Sequence, residues 1–122
     1  MDQGKILLFH IAPSKEKKIK KLCRNLGIHL INVPLRSYGQ KIGFLAGITG
    51  FSRENSTYNG KDLQGEMLVF SGISSNKMDE FLNKYKEAAL DPIDRKAVVT
   101  PHNIFWSPIE LYEELDRERA SL

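Results

Sequence analysis

The chain has 122 residues, of which 18 are basic and 15 acidic, giving a net charge of +3, and 41% are hydrophobic. That length suits one domain, residues 1–122, with enough material to bury a core unaided by metals or disulfides. The single cysteine, Cys23, excludes an internal disulfide. The longest nearly apolar stretch, 42–51, is about half a membrane span, and the apolar run near the N-terminus is too short for a signal peptide, so a cytoplasmic protein without membrane attachment is expected.

The first strand spans Lys5 to Ile11 and is apolar on both faces, as a central buried strand should be. After Pro13 a helix runs from about Lys15 to Leu26, with Ile19, Leu22, Cys23 and Leu26 in one stripe and Gly27 at the left-handed cap position. The second strand is Ile28 to Val33, ended by Pro34. Ser37-Tyr38-Gly39-Gln40 reads as a capping box opening a second helix that reaches about Ile48. Gly39, Gly43 and Gly47 weaken that helix, which implies a close approach along the glycine edge.

Residues 50–66 show no periodicity, and a run of this length is expected to be a lid, a mobile excursion or a concealed hairpin near Tyr58-Asn59-Gly60. A third strand follows at Met67 to Phe70, then a helix from Ser74 or Ser75 to about Ala89 with Met78, Phe81, Leu82 and Tyr85 on its apolar face. The fourth strand is Lys96 to Thr100, ended by Pro101. A second capping box, Ser107-Pro108-Ile109-Glu110, opens the last helix, which continues to about Ala120.

The order β-α-β-α-β-α-β-α predicts an α/β fold with a four-stranded, mostly parallel sheet, order 2-1-3-4, flanked by four helices. The alternative is a ferredoxin-like α+β fold. The second helix decides between them: by carrying the chain back across the sheet, it starts strand three at the same end as strand one. The two halves, 5–48 and 67–120, also look alike, either by internal repetition or through the common grammar of α/β chains.

The second half carries a family resemblance. Its elements are Leu68-Val69-Phe70-Ser71-Gly72, then Lys96-Ala97-Val98-Val99-Thr100-Pro101, then Asn103 and Trp106. From Glu66 to Glu118 the chain resembles a small bacterial family catalogued as domain of unknown function 3783. His102 departs from the small polar residue expected there. The resemblance implies a fold unit and supplies no activity, cofactor or partner.

With strands one, three and four parallel, their carboxyl ends would form a common rim, the usual place for a ligand. His10, Ser71, Gly72, Thr100, His102, Asn103 and Trp106 are the candidate ligand-binding residues, with Tyr38 and the run 50–66 as a cover. His102 would titrate or donate, Asn103 would orient a ligand and Trp106 would stack on a ring. The competing reading makes Thr100–Trp106 a rigid connection in which Asn103 bonds its own turn. A second alternative is weak nucleic-acid binding through Lys15, Lys17, Lys18, Lys20, Lys21 and Arg24 on the first helix. A third is a small enzyme using His10 and His102, which requires the two imidazoles to meet.

No metal-ligand spacing, dinucleotide fingerprint or phosphate loop occurs, so neither a metal nor a cofactor is expected. The primary expectation is a non-catalytic domain that binds a small ligand or a protein partner, of unspecified oligomeric state.

Overall fold

The structure, a computed structural model, describes residues 4–120. Its elements are β1 (Lys5–Phe9), α1 (Pro13–Cys23), β2 (His29–Asn32), a 3-10 turn at Leu35–Ser37, α2 (Ile42–Leu45), β3 (Met67–Ser71), α3 (Ser75–Glu87), β4 (Arg95–Val98), a second 3-10 turn at Asn103–Phe105, and α4 (Pro108–Ala120). They form one four-stranded sheet in the order β2-β1-β3-β4.

The inner strands are apolar on both faces because both faces are covered. Ile6, Leu8, Leu68 and Phe70 face Ile19 and Cys23 of α1 and Phe81 of α3. Leu7, Phe9, Met67 and Val69 face Tyr38, Ile42 of α2, and Leu111 and Tyr112 of α4.

The sheet is mixed. β1 pairs with β2 in parallel, from Lys5 opposite His29 to Leu8 opposite Asn32. β3 pairs with β4 in parallel, from Met67 opposite Arg95 to Phe70 opposite Val98. The two inner strands are antiparallel, with Lys5 opposite Ser71, Leu7 opposite Val69 and Phe9 opposite Met67. The expectation that strand three starts beside the start of strand one is therefore corrected.

The second helical region does cross the sheet as expected. It brings Ala46 down to the start of β1, where the Lys5 ammonium donates to its carbonyl at 2.7 Å. The unperiodic run 50–66 then makes a second crossing back to the carboxyl end of β1, so β3 begins there and runs the other way.

The expected second helix is also corrected. Only Ile42–Leu45 is α-helical, and no side chain caps it. Gln40 is buried and bonds the backbone of Glu54 instead of closing a capping box. The close approach expected of the glycines occurs at Gly43, where a Cβ would stand 2.8 Å from the Phe51 ring. No hairpin forms near Tyr58-Asn59-Gly60.

The other boundaries follow local chemistry. Pro13 sits inside the first turn of α1, where its missing N–H costs nothing. Ser74 caps α3 by accepting from the Lys77 N–H. The second capping box forms as read, with the Ser107 N–H donating to the Glu110 carboxylate at 2.9 Å and the Glu110 N–H to the Ser107 hydroxyl at 3.3 Å.

Candidate functional site

The antiparallel seam divides the candidate residues between the two ends of the sheet. Ser71, Gly72, Thr100, His102, Asn103 and Trp106 gather where β3 and β4 finish. His10 and Tyr38 lie where β1 and β2 finish. Six strand positions separate His10 from Gly72, roughly 20 Å at strand rise. The common rim and the meeting of His10 with His102 are both overturned, and the four helices do not aim their N-termini at one edge.

At the β3–β4 end, Thr100 and Asn103 build a closed turn. The Thr100 hydroxyl accepts from the Asn103 N–H at 3.1 Å and from the His102 N–H at 3.3 Å. The Asn103 amide, itself buried, accepts from the Thr100 N–H at 2.8 Å and donates to the Val98 carbonyl at 3.0 Å. Both polar atoms of Asn103 are thus committed to backbone, the oxygen to its own turn at Thr100, as the competing reading had it, and the nitrogen to the end of outer strand β4 at Val98.

The rest of the segment frames a groove of about 860 Å³ between β4 and α4. Ala97, Leu111 and Leu115 line it together with the charged Lys96, Glu114 and Glu118, and the turn contributes His102, Phe105 and Trp106. Phe105 is 58% exposed, and the Val98 side chain on β4 is 54% exposed. Trp106 is partly buried, and its carbonyl accepts from the Ile42 N–H at 2.8 Å. Ser71 and Gly72 line a separate depression of about 490 Å³ with Lys5, Gly47, Thr49 and Val99.

At the opposite end, His10 adopts a left-handed backbone, φ 59°, unusual outside glycine. Its Nδ1 lies 3.0 Å from the Asp62 carboxylate, and both side chains are 41% exposed. The other Asp62 oxygen accepts from the Leu63 N–H at 2.7 Å. Partial burial works against ionisation of Asp62, but the bonds from His10 and the Leu63 N–H outweigh it, and the carboxyl is held below its ordinary range. Tyr38 is 2% exposed; burial first, then the nearby Asp62 charge, pushes its phenol well above the usual range. A neighbouring pair joins Lys15 to Glu66 at 2.9 Å.

On α1, Lys15 is engaged by that pair, while Lys17, Lys18, Lys20 and Lys21, with Arg24 at the helix C-cap, are exposed. Cys23 is free and buried, and burial pushes its thiol up to about 11, which disfavours the thiolate at neutral pH. Among the described residues no group of three His, Cys, Asp or Glu side chains could hold a metal ion, and no helix is long and apolar enough to cross a membrane.

Sequence reasoning missed Asp62 and Phe105. Asp62 lies in a run without periodicity, so nothing in sequence tied it to His10. Phe105 was legible, as an aromatic beside Trp106 in a polar turn.

Comparison with curated proteins and with solved structures finds no match. Residues 66–122, the second half of the chain from β3 through α4, match the model of a family described as Domain of unknown function (DUF3783).

Proposed function

We propose that the chain is a binding domain without catalytic chemistry of its own, and that its site is the groove between β4 and α4. The observation that supports this most is Phe105, 58% exposed on a groove of about 860 Å³ whose lining includes Ala97, Leu111 and Leu115. Large exposed aromatics beside apolar concavities mark contact sites more often than chance surface. Of the original candidates, His102 and Trp106 belong to this groove, whereas Asn103 and Thr100 hold its wall in shape.

The ligand class is a small aromatic group or the aromatic side chain of a partner. Trp106 is the only tryptophan, so its signals report on the site directly. Titration with p-cresol should shift the Trp106 indole resonance saturably, and Phe105→Ala should abolish the shift while leaving the rest of the spectrum in place. A linear, non-saturating response would remove the reading. The single buried Cys23 is in keeping with a reducing, cytoplasmic setting.

A second reading has its own observation. Five cations of α1 and its C-cap, Lys17, Lys18, Lys20, Lys21 and Arg24, are exposed and form no ion pair among the described residues. That face would hold a polyanion such as nucleic acid through counterion release. Its signature is affinity that falls steeply with salt, and a flat salt response removes it.

A further inference from the structure

The two halves of the sheet match position by position. Lys5 stands opposite His29 as Met67 stands opposite Arg95. Just beyond the outer strands, the Val33 N–H donates to the Leu8 carbonyl at 3.0 Å, and the Val99 N–H donates to the Phe70 carbonyl at 2.9 Å. Four of the left-handed residues pair at an interval of 62 positions, His10 with Gly72 and Gly27 with Ala89, while Gly47 and Gly50 have no such counterpart. Buried Ile19 and Phe81 share that interval. The inner strands pair symmetrically about Leu7 and Val69. In each half a 3-10 turn after the outer strand ends on an aromatic, Tyr38 in the first and Trp106 in the second.

The halves differ in the length of their second helix, Ile42–Leu45 against Pro108–Ala120, and in the cover on that aromatic. In the first half, residues 54–58 run antiparallel to 36–40. Gln40 exchanges two hydrogen bonds with the Glu54 backbone at 2.7 and 2.9 Å, and the Tyr58 N–H donates to the Arg36 carbonyl at 3.0 Å. The Tyr58 ring lies 5.9 Å from that of Tyr38, which is left 2% exposed. In the second half the chain passes directly from Trp106 into α4; Phe51 reaches the Phe105 ring at 5.5 Å and the Ile42 N–H bonds the Trp106 carbonyl, and the groove opens beside these contacts with no strand laid along the turn.

We infer that the halves, 5–48 and 67–120, are copies of one β-α-β-α unit, and that the groove receives from outside what the first copy supplies to itself. The occupant is an extended peptide with an aromatic side chain, running antiparallel to the turn that ends at Trp106. The position that corresponds to the Arg36 acceptor is Ile104, two residues before Trp106 as Arg36 is two before Tyr38, on the turn whose neighbours Asn103 and Phe105 line the groove. This rests on the binding reading above and names its ligand.

The experiment titrates the full chain, observed through the Trp106 indole resonance, with three probes. One is a capped peptide copying residues 53–60, Arg-Glu-Asn-Ser-Thr-Tyr-Asn-Gly. The second is that peptide with its tyrosine replaced by alanine, and the third is N-acetyltyrosinamide. The expected result is saturation by the tyrosine peptide at a concentration about ten-fold below that of N-acetyltyrosinamide, because backbone bonds add to the aromatic contact. The alanine peptide should leave the resonance in place. Equal affinity for the tyrosine peptide and N-acetyltyrosinamide overturns the peptide inference and leaves the small aromatic site standing. Binding of the alanine peptide at the same strength overturns the aromatic requirement. No response to any of the three removes both readings.

Discussion

The turns that leave β1 and β3 share one backbone shape and carry opposite chemistry. Gly72, at φ 67°, takes the left-handed conformation without penalty and has open space around it. His10, at φ 59°, takes it at a cost of about 1–2 kcal/mol, and its ring is bonded to Asp62. The difference teaches what each half asks of its turn. In the second half the turn only redirects the chain. In the first it also anchors the long run that covers Tyr38, so that a side chain is worth its strain.

The comparison can be broken first where the halves are most alike. Phe81→Ala should destabilise by about 3–5 kcal/mol and Ile19→Ala by about 2–5 kcal/mol, since each empties the matching position of one shared core. Urea unfolding measures both, and a cost near zero for either would deny that the positions are equivalent. Asn103→Ala should cost about 2 kcal/mol by leaving the Val98 carbonyl and Thr100 N–H without their partner. Ser37→Ala, in the corresponding turn, should stay within about 0.5 kcal/mol, because no side-chain bond holds that turn to β2.

Smaller effects sharpen the turns themselves. Gly72→His should cost about 1 kcal/mol for want of an aspartate to meet it, while Ala89→Gly, at φ 56°, should gain about 0.5 kcal/mol in thermal or urea unfolding.

The least effect is that of pH on the Asp62 contact. The folded carboxyl is held below its unfolded value, so its contribution is present above the unfolded carboxylate range and is lost as pH falls through the folded value. Asp62→Asn should therefore flatten the acid side of a plot of urea midpoint against pH. An unchanged acid limb would show that the pair adds nothing.

Much of this architecture was legible. The apolar runs at Lys5–Phe9 and Met67–Ser71 marked the central strands, the Ser107–Glu110 pattern marked α4, and the order 2-1-3-4 followed from burial. The direction of β3 was not legible, because residues 50–66 cross the sheet as irregular chain held by scattered contacts: Gln40 on Glu54, His10 on Asp62, Tyr58 on Arg36. Such contacts leave no period in a sequence. The same gap divided the candidate site. His102 and Trp106 were placed together correctly because they lie in one local turn, and His10 was placed with them only through the mistaken strand direction.

A four-stranded sheet has two open flanks, and at one of them a single amide stands where another chain's backbone would. By occupying the Val98 carbonyl and the Thr100 N–H, Asn103 denies an incoming strand the first two rungs of a ladder. Lys96 in the middle of β4 further discourages stacking of like edges. The exposed Val98 and Phe105 side chains therefore border an edge whose outermost acceptor and donor are already engaged within the chain, which leaves a second copy little backbone to pair with.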